Sequence, residues 1–463
     1  MARLVKRVLI VGAAAVFALA ALFASDSGNA VRAIAIGVAV LPLGLFIAVR
    51  RPRIIYCAMA LELGAIPFAD VPGVNFPLGL VLAVLVAITA VLQLPRTGVK
   101  LSALEWWCIA LVVASTVSMI VTWTSSFDTI EYLKWFIATS MFFSLRRLSP
   151  VDLRAFGRWF VYGVSAAAVF GAALLAFDPA GKVLDSLAII GYGSAGDNLR
   201  YVFSASGATV RLTGTFIDPN AGGLFLAIGF FLALALFRGF PRVALCVILL
   251  GALGLTLSRS ALLSVGVAVL VYVAFRSGRF GHKLRGLGVF AALGAIALMI
   301  PAIQDRLLAA LDPSDVGAYA RESALAQFPT QVAGHWLFGL GWGRIEFRDP
   351  TVGQEVNFVA NSPLLTVYRG GLITGAIFTI ILIIGIVRSF RALSQNRSQL
   401  TIVGAGFVGI SLVALQLDFP VVTIYPVTMV FSVLLAFLPE LVPLARRQEP
   451  MPVALPEKVG VTR

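Results

Sequence analysis

The stretch TLSRSALLSVG, residues 256–266, places a single arginine between two apolar runs with almost no loop around it. The runs cover residues 241–257 and 260–275. Each is close to the length that a helix needs to cross the roughly 30 Å hydrocarbon core of a bilayer. Since only Ser258 and Arg259 separate the runs, the stretch predicts two membrane-spanning helices joined by a short turn at one membrane surface.

The composition of the whole chain agrees with this interpretation. Of 463 residues, 59% are hydrophobic and 13% are charged, and the mean hydropathy is +0.96, values far outside those of soluble globular proteins. The three cysteines, Cys57, Cys108 and Cys246, lie in apolar runs without a CxxC pair, which argues against a disulfide framework or a thiolate metal site. The chain is therefore predicted to be a polytopic membrane protein.

Apolar runs near spanning length recur along the chain and predict an all-α transmembrane helical bundle of about 12–14 spans. Two long segments lie between them, 178–217 and 303–361, and loops of such length are usually functional or disordered. Because these two carry many apolar and glycine residues, they are expected to fold over the outer membrane face. The predicted spans are 4–24, 31–49, 54–69, 76–95, 103–123, 129–145, 155–177, 219–237, 241–257, 260–275, 286–302, 363–387, 399–416 and 421–441.

The formal net charge of +14 suggests nucleic-acid binding until the basic residues are placed on this topology. With the N-terminus inside, 25 of the 36 lysines and arginines fall in inside segments, as the positive-inside rule requires. Nucleic acid is therefore excluded as a partner, and the first span is read as an uncleaved helix rather than a signal peptide. The inside segments are 1–7, 50–53, 95–100, 145–158, 238–242, 276–285, 388–397 and 445–463.

Eleven basic residues remain outside or within the membrane, and they are the candidates for binding an anion. They are Arg32, Lys134, Lys182, Arg200, Arg211, Arg259, Arg306, Arg321, Arg344, Arg348 and Arg369.

Motifs of soluble enzymes are absent from the sequence: it has no Walker loop, HExxH, GxSxG or Asp-x-Asp. The glycine-rich stretch GLGWG at 339–343 has no strand–turn–helix context that would favour nucleotide binding. The two histidines, His282 inside and His335 outside, exclude a histidine-rich metal site. The sequence therefore favours chemistry without a metal.

Four stretches carry a resemblance to a known family: RLTGTFIDPNAGGLFLA (211–227), LTLSRSALLSVG (255–266), HWLFGLGWGRIEF (335–347) and NSPLLTVYRGGLITG (361–375). In order and spacing they resemble the successive signatures of the O-antigen ligase and polysaccharide polymerase superfamily. The resemblance covers about residues 200–380 and is undiagnostic elsewhere.

This resemblance implies an inverting membrane glycosyltransferase of the GT-C type in the bacterial inner membrane, with its active site facing the periplasm and no cofactor. It implies as partners an undecaprenyl-pyrophosphate-linked glycan donor, a glycan acceptor, the lipid bilayer and other polysaccharide export proteins. Arg259 and Leu263 match the family's Arg-x-x-x-Leu motif, whose arginine binds the pyrophosphate. Ala360, eleven positions before Gly371, stands where the ligases have a histidine.

The implied organisation has N-terminal transmembrane helices, two periplasmic segments separated by transmembrane helices that carry Arg259, and C-terminal transmembrane helices before a cytoplasmic tail. The ranges are 1–177, 178–217, 218–302, 303–361, 362–441 and 442–463.

Physical reasons support an anion site at Ser258 and Arg259. The turn predicts the start of a helix, where unpaired backbone N–H groups and the helix dipole favour an anion. A guanidinium binds phosphate oxygens in pairs, which lysine does not. The alternative is that Arg259 only extends to the membrane interface.

Arg211, Arg321 and Arg344 are further candidate pyrophosphate ligands. Asp218 is interpreted as the cap of a helix that Pro219 opens. For Arg321 the alternative is a solvated or paired position on an amphipathic helix.

The candidate proton acceptors are His335, Glu322 and Glu346. Burial of a carboxylate would raise its pKa toward neutrality and suit it to this role, whereas His335 more simply anchors a turn. A base is scarcely needed if catalysis depends mainly on stabilising the charge of the leaving group. Within the spans, Glu131 and Lys134 lie three residues apart and are expected to pair, and Glu62 is a further ionisable residue at membrane depth.

Three functions remain: a polysaccharide polymerase that extends a lipid-linked chain in exopolysaccharide or O-antigen synthesis, a ligase that transfers glycan to a lipid or protein, and a non-enzymatic glycan transporter. The number of spans suits a transporter, but no inverted repeat is visible. The alanine at position 360 favours the polymerase over the ligase.

Overall fold

The computed structural model describes ten ranges of the chain and a few isolated residues besides. Predicted spans 4–24 and 286–302, and most of 31–49, lie outside these ranges. The ranges are 46–72, 76–93, 101–178, 182–192, 201–204, 207–277, 316–344, 361–395, 400–414 and 424–441.

The described part of the chain is mostly helical. Eleven of its thirteen helices overlap predicted spans, and the other two, Lys182–Ser186 and Val316–Gln331, lie in the two predicted long segments. This confirms the mostly helical character of the predicted bundle. The helices are α1 (Pro52–Ala65), α2 (Leu78–Leu92), α3 (Ala103–Thr122), α4 (Ser126–Arg146), α5 (Pro150–Phe177), α6 (Lys182–Ser186), α7 (Pro219–Leu236), α8 (Gly239–Leu255), α9 (Arg259–Phe275), α10 (Val316–Gln331), α11 (Ser362–Gln395), α12 (Thr401–Val413) and α13 (Tyr425–Phe437).

Four described helices, α3, α5, α7 and α11, are long and apolar enough to cross a membrane, and α2, α8, α9, α12 and α13 are shorter apolar helices. These helices are those of a membrane protein. The run predicted as 54–69 is corrected: α1 has 14 residues, about 21 Å at 1.5 Å per residue, and ends at Ala65 before a hairpin.

Two short antiparallel hairpins correct the expectation of a purely helical chain. One, β1 (Asp70–Val71) with β2 (Phe76–Pro77), links α1 to α2. The other, β3 (Tyr201–Ser204) with β4 (Gly207–Val210), lies in the first long segment between spans and leads directly into Arg211.

Helix ends that are predicted to lie on the same side of the membrane contact one another in the structure. We call the end with Ala65, Thr122 and the start of α7 the outer end, and the opposite end the inner end; their orientation in a membrane stays a prediction. The outer-end bonds include Thr215 Oγ1 to Ala65 O (2.7 Å), Ser362 N to Ala414 O (2.8 Å) and Tyr425 OH to Pro67 O (3.3 Å). The inner-end ion pairs are Arg53–Asp152 (2.6 Å), Arg146–Glu440 (3.3 Å) and Arg147–Glu105 (3.4 Å).

Helix α7 lies at the centre of the bundle and is buried along nearly its whole length. Glycines permit the closest contacts between neighbouring helices. A Cβ at Gly64 on α1 would lie 2.5 Å from the Phe160 carbonyl oxygen on α5, and a Cβ at Gly163 on α5 would lie 2.6 Å from the Leu61 carbonyl oxygen on α1. Small residues at such contacts are typical of helices that pack within a membrane.

The predicted continuous span 363–387 is wrong in one respect, because α11 is broken at Gly371 (φ 81°, ψ 177°). Few side-chain-bearing residues adopt such a backbone conformation. The helix therefore consists of a short buried segment, 362–370, followed by a longer segment that begins at Leu372.

Candidate functional site

The starts of α7 and α9 lie side by side at the outer end. Gly223, in the first turns of α7, faces the first turn of α9: a Cβ there would lie 2.6 Å from the Cβ of Ala261 and 3.1 Å from that of Ser258. Only a residue without a side chain permits this approach. Since each helix start carries partial positive charge, the pair favours an anion.

The two helix starts differ in their capping. Asp218 accepts hydrogen bonds from the backbone N–H groups of Asn220 (2.9 Å) and Ala221 (3.4 Å), and Pro219 is the first residue of α7, which confirms the predicted cap. Ser258 occupies the cap position of α9, but its side chain makes no cap hydrogen bond. Its buried Oγ has no partner among the described residues. The start of α9 therefore has no neutralising side-chain cap.

The backbone is unusual immediately before both caps. Ile217 precedes Asp218 with φ 60°, and Leu257 precedes Ser258 with φ 51°; these are the non-glycine residues with positive φ in the described part of the chain. This conformation is uncommon for a residue with a side chain, and for a β-branched residue it is an outlier. Strain of this kind clusters at functional sites, and no sequence pattern indicated it.

Arg211 bridges the two helix starts. Its Nε donates to the Thr256 carbonyl oxygen at 2.8 Å, and its Nη2 donates to Oδ1 of Asn220 at 3.0 Å. The side chain is buried, with 8% of the residue exposed. The Leu212 N–H also donates to the Leu255 carbonyl oxygen at 2.9 Å. The segment of Arg211 is thus held against the turn that ends in Arg259.

Arg259 is the first residue of α9 and is partly buried. The predicted helix start at Ser258 and Arg259 is confirmed. Asp218 is also partly buried. Burial raises the pKa of its carboxyl, while the N–H groups of Asn220 and Ala221 and the charge of Arg211 act in the opposite direction. Among the described residues, the starts of α7 and α9 thus bring together two arginines, Arg211 and Arg259, with one acid, Asp218, on which the charge of Arg211 acts, so the group is electropositive.

The glycine block 335–343 forms a turn that fits against the break in α11. The Leu340 N–H donates to the Tyr368 carbonyl oxygen (2.7 Å), and the Leu372 N–H donates to the Trp336 carbonyl oxygen (2.8 Å). Gly339 and Gly341 have φ values of 75° and 102°. The glycines thus permit a tight turn against a helix.

One of the two residues that anchor this turn, Asp128, was not singled out by the sequence. Asp128 accepts a hydrogen bond from the Gly343 N–H at 2.7 Å, and its other oxygen binds N–H groups of the Thr124–Ser125 turn. Burial acts to raise the pKa of the Asp128 carboxyl, but these hydrogen bonds outweigh it and lower the pKa below its usual value. Asp128 lies just outside the predicted span 129–145.

Arg369, one of the eleven basic residues outside the inside segments, also anchors the turn. Its Nη1 donates to the Trp342 carbonyl oxygen at 2.7 Å, and the residue is buried. The Trp342 ring packs against Trp135, with a centroid distance of 4.7 Å. The first segment of α11, the glycine block and α4 therefore form one packed unit.

The other predicted site residues are placed as follows. Arg344 is exposed and directly follows the anchored Gly343. His335 is exposed, and its backbone forms the expected turn, with its N–H bound to the Val332 carbonyl (2.8 Å) and its carbonyl bound to the Gly339 N–H (2.7 Å). Glu322 is exposed on α10, and its role as proton acceptor stays a prediction.

Three remaining positions lie partly or wholly outside the described part of the chain. The backbone of Arg321 belongs to α10, but its side chain lies outside the described part, as do Glu346 and Ala360 entirely. Among the described residues, no group of three or more histidines, cysteines or acids is arranged to hold a metal.

Two acids within the bundle contrast sharply. Glu131 pairs with Lys134 at 2.7 Å, as predicted. Glu62 is buried beside Gly79, and both its carboxylate oxygens lack a hydrogen-bond partner in the part of the chain that the structure describes.

A scan against known protein families finds no match for this chain, and a search of curated protein sequences finds none.

Proposed function

We propose that the protein is a polysaccharide polymerase that extends a lipid-linked glycan at the outer end of the bundle, by inverting glycosyl transfer without a metal. The donor is a glycan on undecaprenyl pyrophosphate, and the acceptor is a hydroxyl of a second glycan. This proposal includes a GT-C-type fold, a location in the bacterial inner membrane, and a site that faces the periplasm. It rests on the sequence resemblance together with the electropositive group at the starts of α7 and α9.

The observation that carries the proposal is the bond from Arg211 to Thr256, which holds two arginine-bearing segments at one pair of helix starts. A pyrophosphate at this place meets the guanidinium of Arg259 and the start of α9, which has no side-chain cap. Charge-assisted hydrogen bonds of this kind are roughly twice as strong as neutral ones. Arg211 and Arg344 are proposed to add positive charge, and Arg321 is proposed as a further ligand from α10.

In the proposed step, the acceptor oxygen bonds to the anomeric carbon while the bond from that carbon to the pyrophosphate oxygen breaks. The electron pair leaves with the pyrophosphate, so stabilising this charge is the main catalytic contribution. The hydroxyl proton passes to His335, to Glu346 or to water. Glu322, exposed on α10, is a further proposed acceptor of this proton.

The break in α11 gives some support to a different function, that of a glycan transporter. Discontinuous helices often form substrate sites in transporters. Here, however, the turn 335–343 fits against the break, with Leu372 and Tyr368 bonded to its backbone. Transfer chemistry is therefore favoured over transport. A ligase is the other alternative, which the alanine at position 360 disfavours.

Sizing of carrier-linked glycan in a deletion strain separates these functions. Loss of a polymerase leaves single repeats and removes long chains, whereas loss of a ligase strands long chains on the carrier. Loss of a transporter leaves repeats inside the cell. Long polymer accumulated on the carrier would contradict the polymerase proposal.

Complementation of this strain tests Arg259. Arg259→Ala should abolish long chains at unchanged membrane levels, and Arg259→Lys should restore little, because the planar fork is lost. Arg154→Ala, an exposed arginine at the inner end, serves as the matched control and should restore long chains fully. Full restoration of long chains by Arg259→Ala would contradict the proposed anion site.

A further inference from the structure

Among the described residues, a group of arginines at the inner end carries more positive charge than the acids paired with it neutralise. Arg146 and Arg147 end α4, and Arg388 and Arg391 lie near the end of α11. Glu105 on α3 and Glu440 after α13 are the acids that pair with this group. We call Arg146, Arg388 and Arg391 the inner arginine cluster.

Both acids are already engaged by other groups. Glu105 accepts the Ser102 N–H at 2.8 Å in a capping box and pairs with Arg147 at 3.4 Å. Glu440 pairs with Arg146 at 3.3 Å. Within the described ranges, two of the four arginines are thus paired with an acid, and Arg388 and Arg391 are not.

Arg388 is the unusual member of the cluster. It is partly buried, and its guanidinium has neither an ion pair nor a hydrogen bond within the described ranges. The charges that act on it are those of Arg146, Glu105 and Arg391, two positive and one negative. In addition, Nε of Arg146 is buried without a partner among the described residues. Burial of an unpaired charge costs free energy. An anion bound from outside the protein would reduce this cost at Arg388.

The surface beside the cluster indicates which anion fits. Ile383 and Val387 are exposed, and with Arg391 they recur every four residues along one face of α11. Residues four apart lie above one another on a helix. An apolar stripe exposed on a membrane protein therefore leads directly to the exposed Arg391 and its neighbour Arg388.

We propose that the inner arginine cluster binds the phosphate of an anionic phospholipid, whose acyl chains lie along the stripe of Ile383 and Val387. Basic residues at the inner end are expected from topology alone. A partly buried guanidinium with no ion-paired acid in the described ranges is not expected from topology. Basic pockets between transmembrane helices bind anionic head groups. The site lies at the opposite end from Arg259 and does not depend on the proposed glycosyl transfer.

The test measures thermal unfolding of the full-length protein in detergent, titrated with dioleoyl phosphatidylglycerol. The wild type should be stabilised at lower concentrations of this lipid than of dioleoyl phosphatidylcholine or inorganic phosphate. In Arg388→Gln/Arg391→Gln the apparent affinity for phosphatidylglycerol should fall about tenfold or more, as expected on losing two charge-assisted contacts.

The matched control is Arg154→Gln/Arg158→Gln, which removes the same charge from exposed positions on α5 at the same end and should keep the wild-type affinity. The single variant Arg391→Gln, at an exposed position, keeps the test valid if Arg388→Gln fails to fold, and should itself weaken binding several-fold. Unchanged affinity in the cluster variants would overturn the proposal. So would an equal loss in the control, which indicates general electrostatics, or equal stabilisation by inorganic phosphate, which indicates a free anion.

Discussion

Arg211 and Thr256 are joined by a 2.8 Å hydrogen bond from the guanidinium Nε to the backbone carbonyl oxygen, although 45 positions separate them in sequence. The bond fixes the residues before α7 against the turn before α9. Arg211 thus stabilises the backbone of the proposed site and also contributes positive charge to it.

Replacement of Arg211 should affect both stability and activity. Arg211→Lys cannot reproduce the paired bonds to Thr256 and Asn220, so the free energy of unfolding should fall by about 1–3 kcal/mol. Formation of long glycan chains should also decrease. Thermal unfolding in detergent and glycan sizing measure the two effects. Arg158→Lys, exposed on α5, is the control, and unchanged stability of Arg211→Lys would contradict the bridging role.

The orientation of the two ends is open to cysteine labelling. In a chain with Cys57, Cys108 and Cys246 replaced by alanine, a membrane-impermeant maleimide should label Thr330→Cys in intact spheroplasts. It should label Arg154→Cys only after the inner membrane is permeabilised. Both positions are exposed, so access depends on sidedness. The reverse pattern would invert the topology and place the proposed site on the cytoplasmic side.

The break in α11 should not tolerate a side chain at Gly371. A Cβ there would lie 2.0 Å from the Leu337 carbonyl oxygen, and φ is 81°. Gly371→Ala should therefore destabilise the protein by more than about 2 kcal/mol. Gly251→Ala, in α8 with no atom within 4 Å of the new Cβ, should be neutral or stabilising by about 0.5–1 kcal/mol. Thermal unfolding of both variants is the measurement. Equal unfolding midpoints for Gly371→Ala and Gly251→Ala would contradict the close packing of the turn 335–343 against Gly371.

Asp128 should hold the same turn through its charge. Asp128→Asn removes the carboxylate that binds Gly343 and the Thr124–Ser125 turn, and should lower the free energy of unfolding by about 1.5–3 kcal/mol. Since the pKa of Asp128 is lowered in the fold, its stabilisation is complete above the unfolded value near pH 4 and disappears as the pH falls through the folded pKa. Unfolding midpoints between pH 3 and pH 6 should therefore depend less on pH in the variant. An identical pH dependence would exclude this role.

Two of the buried glutamates, Glu62 and Glu105, should respond differently to one substitution. Glu62 has no hydrogen-bond partner among the described residues, so Glu62→Met should leave the unfolding midpoint unchanged or raise it. Glu105 caps α3 and pairs with Arg147, so Glu105→Met should lower the midpoint clearly. A large loss of stability in Glu62→Met would show that this carboxyl contributes to the fold through a partner outside the described ranges.

Local patterns in the sequence were sufficient for the features that depend on neighbouring residues. The start of α9 at Arg259, the cap by Asp218 before Pro219 and the Glu131–Lys134 pair all follow from spacing within one or two helical turns. The alternation of basic segments likewise predicted which helix ends meet. These features need only the helical period and the burial of apolar runs.

Contacts between distant segments decided the rest. The break at Gly371 exists because the turn 335–343 occupies that space, and Asp128 is an anchor only because Gly343 reaches it from 215 positions away. Arg388 looked like an ordinary basic residue at a helix end until Glu105 and Glu440 were seen to pair with other arginines. Such relationships depend on packing in three dimensions, which residue spacing along one chain does not encode.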